Sequence, residues 1–216
     1  MNGSLKRHLE RMLDIYTKEE YYETLLSAKT TYFASTGQAN EDDDDYESRM
    51  SAFNDWYLLQ FKSGALNNTT PLEDYLSKNA LPEDVTTALS EFNHGLFEYQ
   101  GKGIMGGHVL KDLLHNEKIV LSKDHPSLSM VKGEFFIGRT LNYNHEAYLM
   151  NGLCILPQES KSICKKEAKK VKKLKDSKED ENFLLFTESL KTKWQRYGHV
   201  DVERIFIFPK DRTVSL

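Results

Sequence analysis

Pro82-Glu83-Asp84-Val85-Thr86-Thr87-Ala88-Leu89-Ser90-Glu91-Phe92-Asn93-His94-Gly95-Leu96-Phe97-Glu98-Tyr99-Gln100 is the stretch in which the chain changes its hydrophobic period. Up to Phe92, the apolar residues Val85, Ala88, Leu89 and Phe92 recur every three or four positions behind a proline, which predicts a helix with Gly95 just past its end. From Leu96 onward the pattern is short runs of aromatic, aliphatic and β-branched residues at 96–100, 119–123, 134–141 and 147–156, separated by Gly, Asn, Asp and Pro. Residues 109–114 fit either a strand or one helical turn. The expected fold class is therefore α+β: a helical region over 1–95, a small SH3-like or OB-like β-barrel over 96–157, and a helical tail with a final strand over 158–216. A closed or nearly closed barrel is expected because closure removes the exposed edges of short strands.

On the N-terminal side, Leu5, Leu9, Met12, Leu13 and Tyr16, then Tyr21, Tyr22, Leu25, Leu26 and Phe33, read as one long helix over 5–33 with Ser4 as its N-cap. Tyr46, Met50, Phe53, Tyr57 and Phe61 give a second helix, started by the acidic run Glu41-Asp42-Asp43-Asp44-Asp45. Thr70-Pro71-Leu72-Glu73 is the sharpest local signal: a threonine cap, proline at the first helical position and a glutamate closing a capping box. His115-Asn116-Glu117-Lys118 and Asn142-Tyr143-Asn144-His145 read as hairpin turns. Beyond Pro157, Ile163, Val171 and Leu174 form a narrow apolar seam. Phe183, Phe186, Leu190, Trp194 and Tyr197 mark an amphipathic helix, and residues 200–208 read as the final strand.

Residues 53–157 resemble an uncharacterised bacterial family, on Phe53-Asn54-Asp55-Trp56-Tyr57-Leu58, Thr70-Pro71-Leu72-Glu73-Asp74-Tyr75-Leu76 and the turn Leu110-Lys111-Asp112-Leu113-Leu114. Some relatives carry a C-terminal SEC-C zinc motif, which this chain lacks. The resemblance implies helices followed by a β-domain and brings no reaction or catalytic residue with it.

Charge is the property with partner-level content. Residues 1–100 carry 8 Lys+Arg against 18 Asp+Glu, and residues 101–216 carry 21 against 15, so a formal charge of −4 conceals halves of −10 and +6. Residues 161–178 alone hold nine lysines against two acids. Lys165, Lys169, Lys172 and Lys173 are expected to line one flank of a helix, with Lys166 and Lys170 on another. Such a face suits a phosphate backbone without reading bases, since no aromatic or arginine is interleaved. The alternative partners are the acidic half of the same chain, a second copy, or another protein.

Catalytic and cofactor motifs are weak. Gly101-Lys102-Gly103-Ile104-Met105-Gly106 matches G-x-G-x-x-G but is followed by short strands instead of a strand-helix-strand unit, so a glycine-rich hairpin or bulge is expected. Ser162-Ile163-Cys164-Lys165 is a bare S-x-x-K in a lysine-rich helix. The seven histidines show no ligand spacing, and Asp42–Asp45 lacks the calcium-loop pattern, so no metal or cofactor is expected. Two cysteines, Cys154 and Cys164, build no disulfide framework and read as reduced thiols. With no apolar span and no leader at Met1-Asn2-Gly3, the expected setting is cytoplasmic and away from membranes. The leading expectation is thus a non-catalytic binding or adaptor protein. The rival is an enzyme with a site between the helical region and the barrel, built from Asp112, His108 and Glu98.

Overall fold

The computed structural model describes residues 3–104 and 106–209; Met105 of the glycine motif, the first two residues and the final seven lie outside the described residues. Five helices come first: α1 (Gly3–Tyr16), α2 (Tyr22–Thr36), α3 (Tyr46–Leu59), α4 (Pro71–Lys78) and α5 (Glu83–Ser90). Strands β1 (Asn93–Lys102), β2 (His108–Asp112), β3 (Lys118–Val120), β4 (Phe135–Tyr143), β5 (Glu146–Leu149) and β6 (Cys154–Ile155) follow, and α6 (Lys161–Val171), α7 (Ser177–Arg196) and α8 (Val202–Ile205) complete the α+β fold.

The long helix expected over 5–33 is two helices. Tyr16 ends α1 because its carbonyl accepts the Tyr57 hydroxyl at 2.8 Å while its own hydroxyl donates to Asp74 at 2.5 Å. Lys18 is extended, and Lys18-Glu19-Glu20 offers no apolar side chain to carry a helix across the gap. The capping box forms as expected: the Glu73 N–H donates to Thr70 Oγ1 and the Thr70 N–H to the Glu73 carboxylate. Helix α5 stops at Ser90, and Gly95 lies inside β1, not at a helix end. A side chain at 95 would meet the Phe97 ring at 2.9 Å and Asp112 at 3.0 Å, so packing within the sheet explains the glycine.

The strands form one curled antiparallel sheet, a half-barrel, in the order β3-β2-β1-β4-β5 with β6 on β4. A single parallel bridge from Leu121 to Ala147 joins the two ends of the curl. Residues 109–114 resolve as strand plus turn, β2 pairing with β1 and β3. The glycine motif is the β1–β2 hairpin, with a register shift between Tyr99 and Gly101 and positive φ at Gly101 and Gly106. The β4–β5 turn places Asn144 and His145 both at positive φ, the two-residue geometry that follows sheet twist.

Packing assigns the two faces of the sheet by strand alternation. Phe97, Tyr99, Leu110, Phe136 and Leu149 fill the inside of the curl, while Leu96, Phe135 and Ile137 face α6, α7 and α8. Strand β4 is buried on both sides, which is why Phe135-Phe136-Ile137 is an unbroken apolar run. The C-terminal segment is no tail. Helix α7 packs against β1 along one side and reaches α2 on the other, where Tyr32 donates to Glu188 at 2.7 Å and Thr192 Oγ1 donates to the Thr36 carbonyl at 2.8 Å. The final strand is not formed either: Val202 and Ile205 lie on one turn of helix α8, with Phe206 just past its end. Their spacing of three and four buries all three against the sheet face.

Candidate functional site

Helix α6 is anchored by its small and aliphatic side. Cys164, Ala168 and Val171 are buried, and the Ser160 hydroxyl ties the preceding turn to the Pro157 carbonyl. The apolar seam expected from Ile163, Val171 and Leu174 is therefore rotated. Residues 172–174 tighten into a 3-10 turn and Lys175 takes a positive φ, which turns Leu174 outward to 51% exposure.

That rotation redistributes the six candidate lysines. Lys161 and Lys165 both pair with Glu98, at 2.9 and 3.2 Å, and Lys172 donates to the His115 carbonyl. Burial works against the Glu98 carboxylate, but the two lysines outweigh it and hold its pKa below the usual range. The flank expected from Lys165, Lys169, Lys172 and Lys173 is thus divided, its first and third members being drawn in toward the sheet. Lys166, Lys169 and Lys173 stay exposed, with no ion pair or hydrogen bond among the described residues, and Lys170 pairs only with Glu167 at 2.8 Å. At about 100° per residue Lys166, Lys169 and Lys170 share an outward arc of α6 opposite Cys164, Ala168 and Val171, and Lys173 follows in the 3-10 turn beyond it.

Asp112, His108 and Glu98 are not brought together. His108 and Asp112 stand at opposite ends of β2, roughly 13 Å apart at strand rise, and Glu98 faces α6. His108 meets the Tyr99 hydroxyl at 2.8 Å, and burial lowers its pKa. Asp112 is fully buried and organises the β2–β3 turn. It accepts the N–H groups of Leu114 and His115 at 2.8 and 2.9 Å, the Asn93 amide at 3.0 Å and the His115 ring at 2.8 Å. Burial opposes its charge, yet these hydrogen bonds keep its pKa low. The same contact raises the pKa of His115, with Asp180 adding to it from 3.5 Å.

The acidic run is a turn before α3. Asp43 accepts the Asn40 N–H at 2.8 Å and Asp45 pairs with Lys191 of α7; among the described residues, no three His, Cys, Asp or Glu are placed to hold a metal ion. Cys154 and Cys164 are both buried free thiols, each with a raised pKa caused chiefly by burial. No helix among the described residues is long and apolar enough to cross a membrane.

A cleft of about 830 Å³ opens where the helical region, the sheet and the start of α7 meet, and Asp112, His108 and Glu98, the residues expected between the helical region and the barrel, do not line it. Gln60, His94, His115, Asp180 and Glu181 contribute to its wall. They come from the end cap of α3, β1, the β2–β3 turn and α7, so no sequence spacing signals them. No family model, curated protein or solved structure matches this chain.

Proposed function

We propose that the chain is a non-catalytic binding protein that engages the phosphate backbone of a nucleic acid through the outer face of α6 and the 3-10 turn that follows it. The observation that carries this reading is the arc of Lys166, Lys169, Lys170 and Lys173, in which three ammonium groups have no acidic partner among the described residues. A row of unpaired cations on a rigid helix releases counterions from a polyphosphate when it docks, and this contribution is independent of base sequence. Without aromatic side chains in the arc there is nothing to stack on bases, so binding is expected to be indifferent to sequence.

The test is an electrophoretic shift with generic duplex DNA and RNA at about 50 mM salt. With four phosphates neutralised, the slope of log affinity against log salt is about −3.6, so affinity drops roughly a hundredfold by about 200 mM. Exchanging Lys166, Lys169 and Lys173 for Gln should flatten that slope to about −1. The same exchange at Lys6, Lys18 and Lys78, which are already paired to acids one helical turn away, should leave it unchanged. Absence of retardation, or equal losses in the two triple variants, would overturn the reading.

A further inference from the structure

The cleft at the seam is a second site, independent of the lysine face. We propose that it binds a small molecule bearing an ammonium group, received by the carboxylates of Asp180 and Glu181. Its charged lining is Glu73, Glu117, Asp180 and Glu181 against Lys62 and Lys178, and both lysines are exposed at the rim. The lining thus sets four carboxylates against two exposed lysines and the His115 ring, which stands 3.5 Å from Asp180 and whose pKa is raised chiefly by its hydrogen bond to Asp112.

Glu181 is preorganised. Its Oε1 accepts the indole N–H of Trp56 at 2.9 Å and the side-chain amide of Gln60 at 3.0 Å, and Gln60 is held in turn by Arg139 Nε at 2.7 Å. Both bonds fall on one oxygen, so Oε2 keeps its lone pairs for a ligand. Among the described residues the Asp180 carboxylate is engaged only through Oδ2, at the long distance of 3.5 Å from His115. The third inner group is His94, whose two ring nitrogens are shut off from solvent and have no partner among the described residues. Burial first, then the charge of Arg139, lowers its pKa, so the ring adds no positive charge to the wall.

An organic cation suits this donor set better than a bare metal ion, because no three candidate metal ligands converge among the described residues. An ammonium brings three N–H donors, which carboxylate oxygens such as Glu181 Oε2 can accept. Phe92, Ile119 and Leu184 supply an apolar strip for a short carbon skeleton. The volume lies within the range of small-molecule sites, which is roughly 300–1,000 Å³.

Trp56 provides the readout, since its indole N–H rests on Glu181 while Trp194 sits near the far end of α7 and serves as an internal control. In ¹H–¹⁵N spectra of the full chain, titration with butylammonium should move the Trp56 indole peak saturably, with a dissociation constant of about 1 mM or below, and leave Trp194 in place. Butyrate at equal ionic strength should move neither. Glu181→Gln keeps an acceptor for Trp56 and Gln60 while removing the charge, so the fold is retained and affinity should drop at least about tenfold. Asp180→Asn, which leaves the Trp56 contact intact, should weaken binding as well. A still Trp56 peak, equal shifts at both indoles, equal binding of butyrate, or unchanged affinity in both variants would each overturn the proposal.

Discussion

Arg139→Met is expected to destabilise the protein by about 3–5 kcal/mol, because it removes the cation that compensates two buried carboxylates. Arg139 is 1% exposed, its Nε donates to Gln60, and its Nη2 has no partner among the described residues. Its charge pulls down the pKa of both Asp55 and Glu188, yet burial dominates and leaves both raised, Asp55 to about 6. A carboxyl whose folded pKa exceeds its unfolded value holds a proton that the unfolded chain releases. The contribution of Asp55 to stability therefore falls as pH climbs from about 4 to about 6 and is flat above. Without Arg139 the folded values move higher still, so the decline continues past pH 6. The deficit of the variant, measured by urea melts, should accordingly be larger at pH 8 than at pH 5. Adding Asp55→Asn should recover part of it. Equal deficits at both pH values would show that lost packing, not uncompensated charge, is responsible.

Gly152→Ala should cost about 3 kcal/mol and lower the melting temperature by roughly 6–12 °C for a chain of this size. Gly152 lies in the turn between β5 and β6 and touches α3: a Cβ there would stand 2.5 Å from Ala52 Cα, 2.7 Å from Ala52 N and 2.5 Å from Asp55 Oδ2. Two of those three atoms are backbone, so the strain is relieved only by lifting the turn off the helix. Lifting it also breaks the 3.0 Å bond from the Gly152 N–H to Asp55 and opens the helix–sheet contact where Ala52 is buried. Its φ is not among the positive ones, so close approach is the cause, not backbone conformation. Gly64→Ala, where a Cβ would meet nothing within 4 Å, is the control and should change stability by less than about 0.5 kcal/mol. Thermal melts followed by far-UV circular dichroism distinguish the two, and equal melting temperatures would refute the account.

Both residues work at the junction of parts that are far apart in sequence, and there the sequence was least informative. Gly152 stands among Asn151, Leu153 and Cys154, a composition that reads as an ordinary turn; nothing in it announces the distant Ala52. Arg139 sits in an apolar run and pairs across the sheet with His94, while its charge partners come from α3 and α7. The cleft is hidden for the same reason. Asp112 was singled out beside the right turn, but its role is to hold His115 and the turn backbone, and Glu98 serves to dock α6. The lysine flank differs from the expected one because spacing does not say which side of a helix is buried; with Cys164, Ala168 and Val171 facing inward, the outward arc is Lys166, Lys169 and Lys170, followed by Lys173 in the next turn.

What the amino-acid order determined by itself is local. The Thr70-Pro71-Leu72-Glu73 cap forms because all its partners lie within four residues, and the turn at Asn144-His145 and the glycine hairpin follow from backbone preferences of single residues. The change from helical to strand period near Gly95 likewise rests on neighbours, so the α+β class was legible. The tertiary structure alone decided where helices end and which side each presents. Tyr16 closes α1 through the Tyr57 hydroxyl 41 residues away and the Asp74 carboxylate 58 residues away, and residues 202–206 coil where the face they meet is built from α6, α7 and one side of the sheet. It also decided that α7 bridges both halves of the molecule, which gathers Gln60, His94, Asp180 and Glu181 into one cleft. Spacing in sequence measures neighbourhood only along a helix or strand, and every contact that makes that cleft crosses between elements.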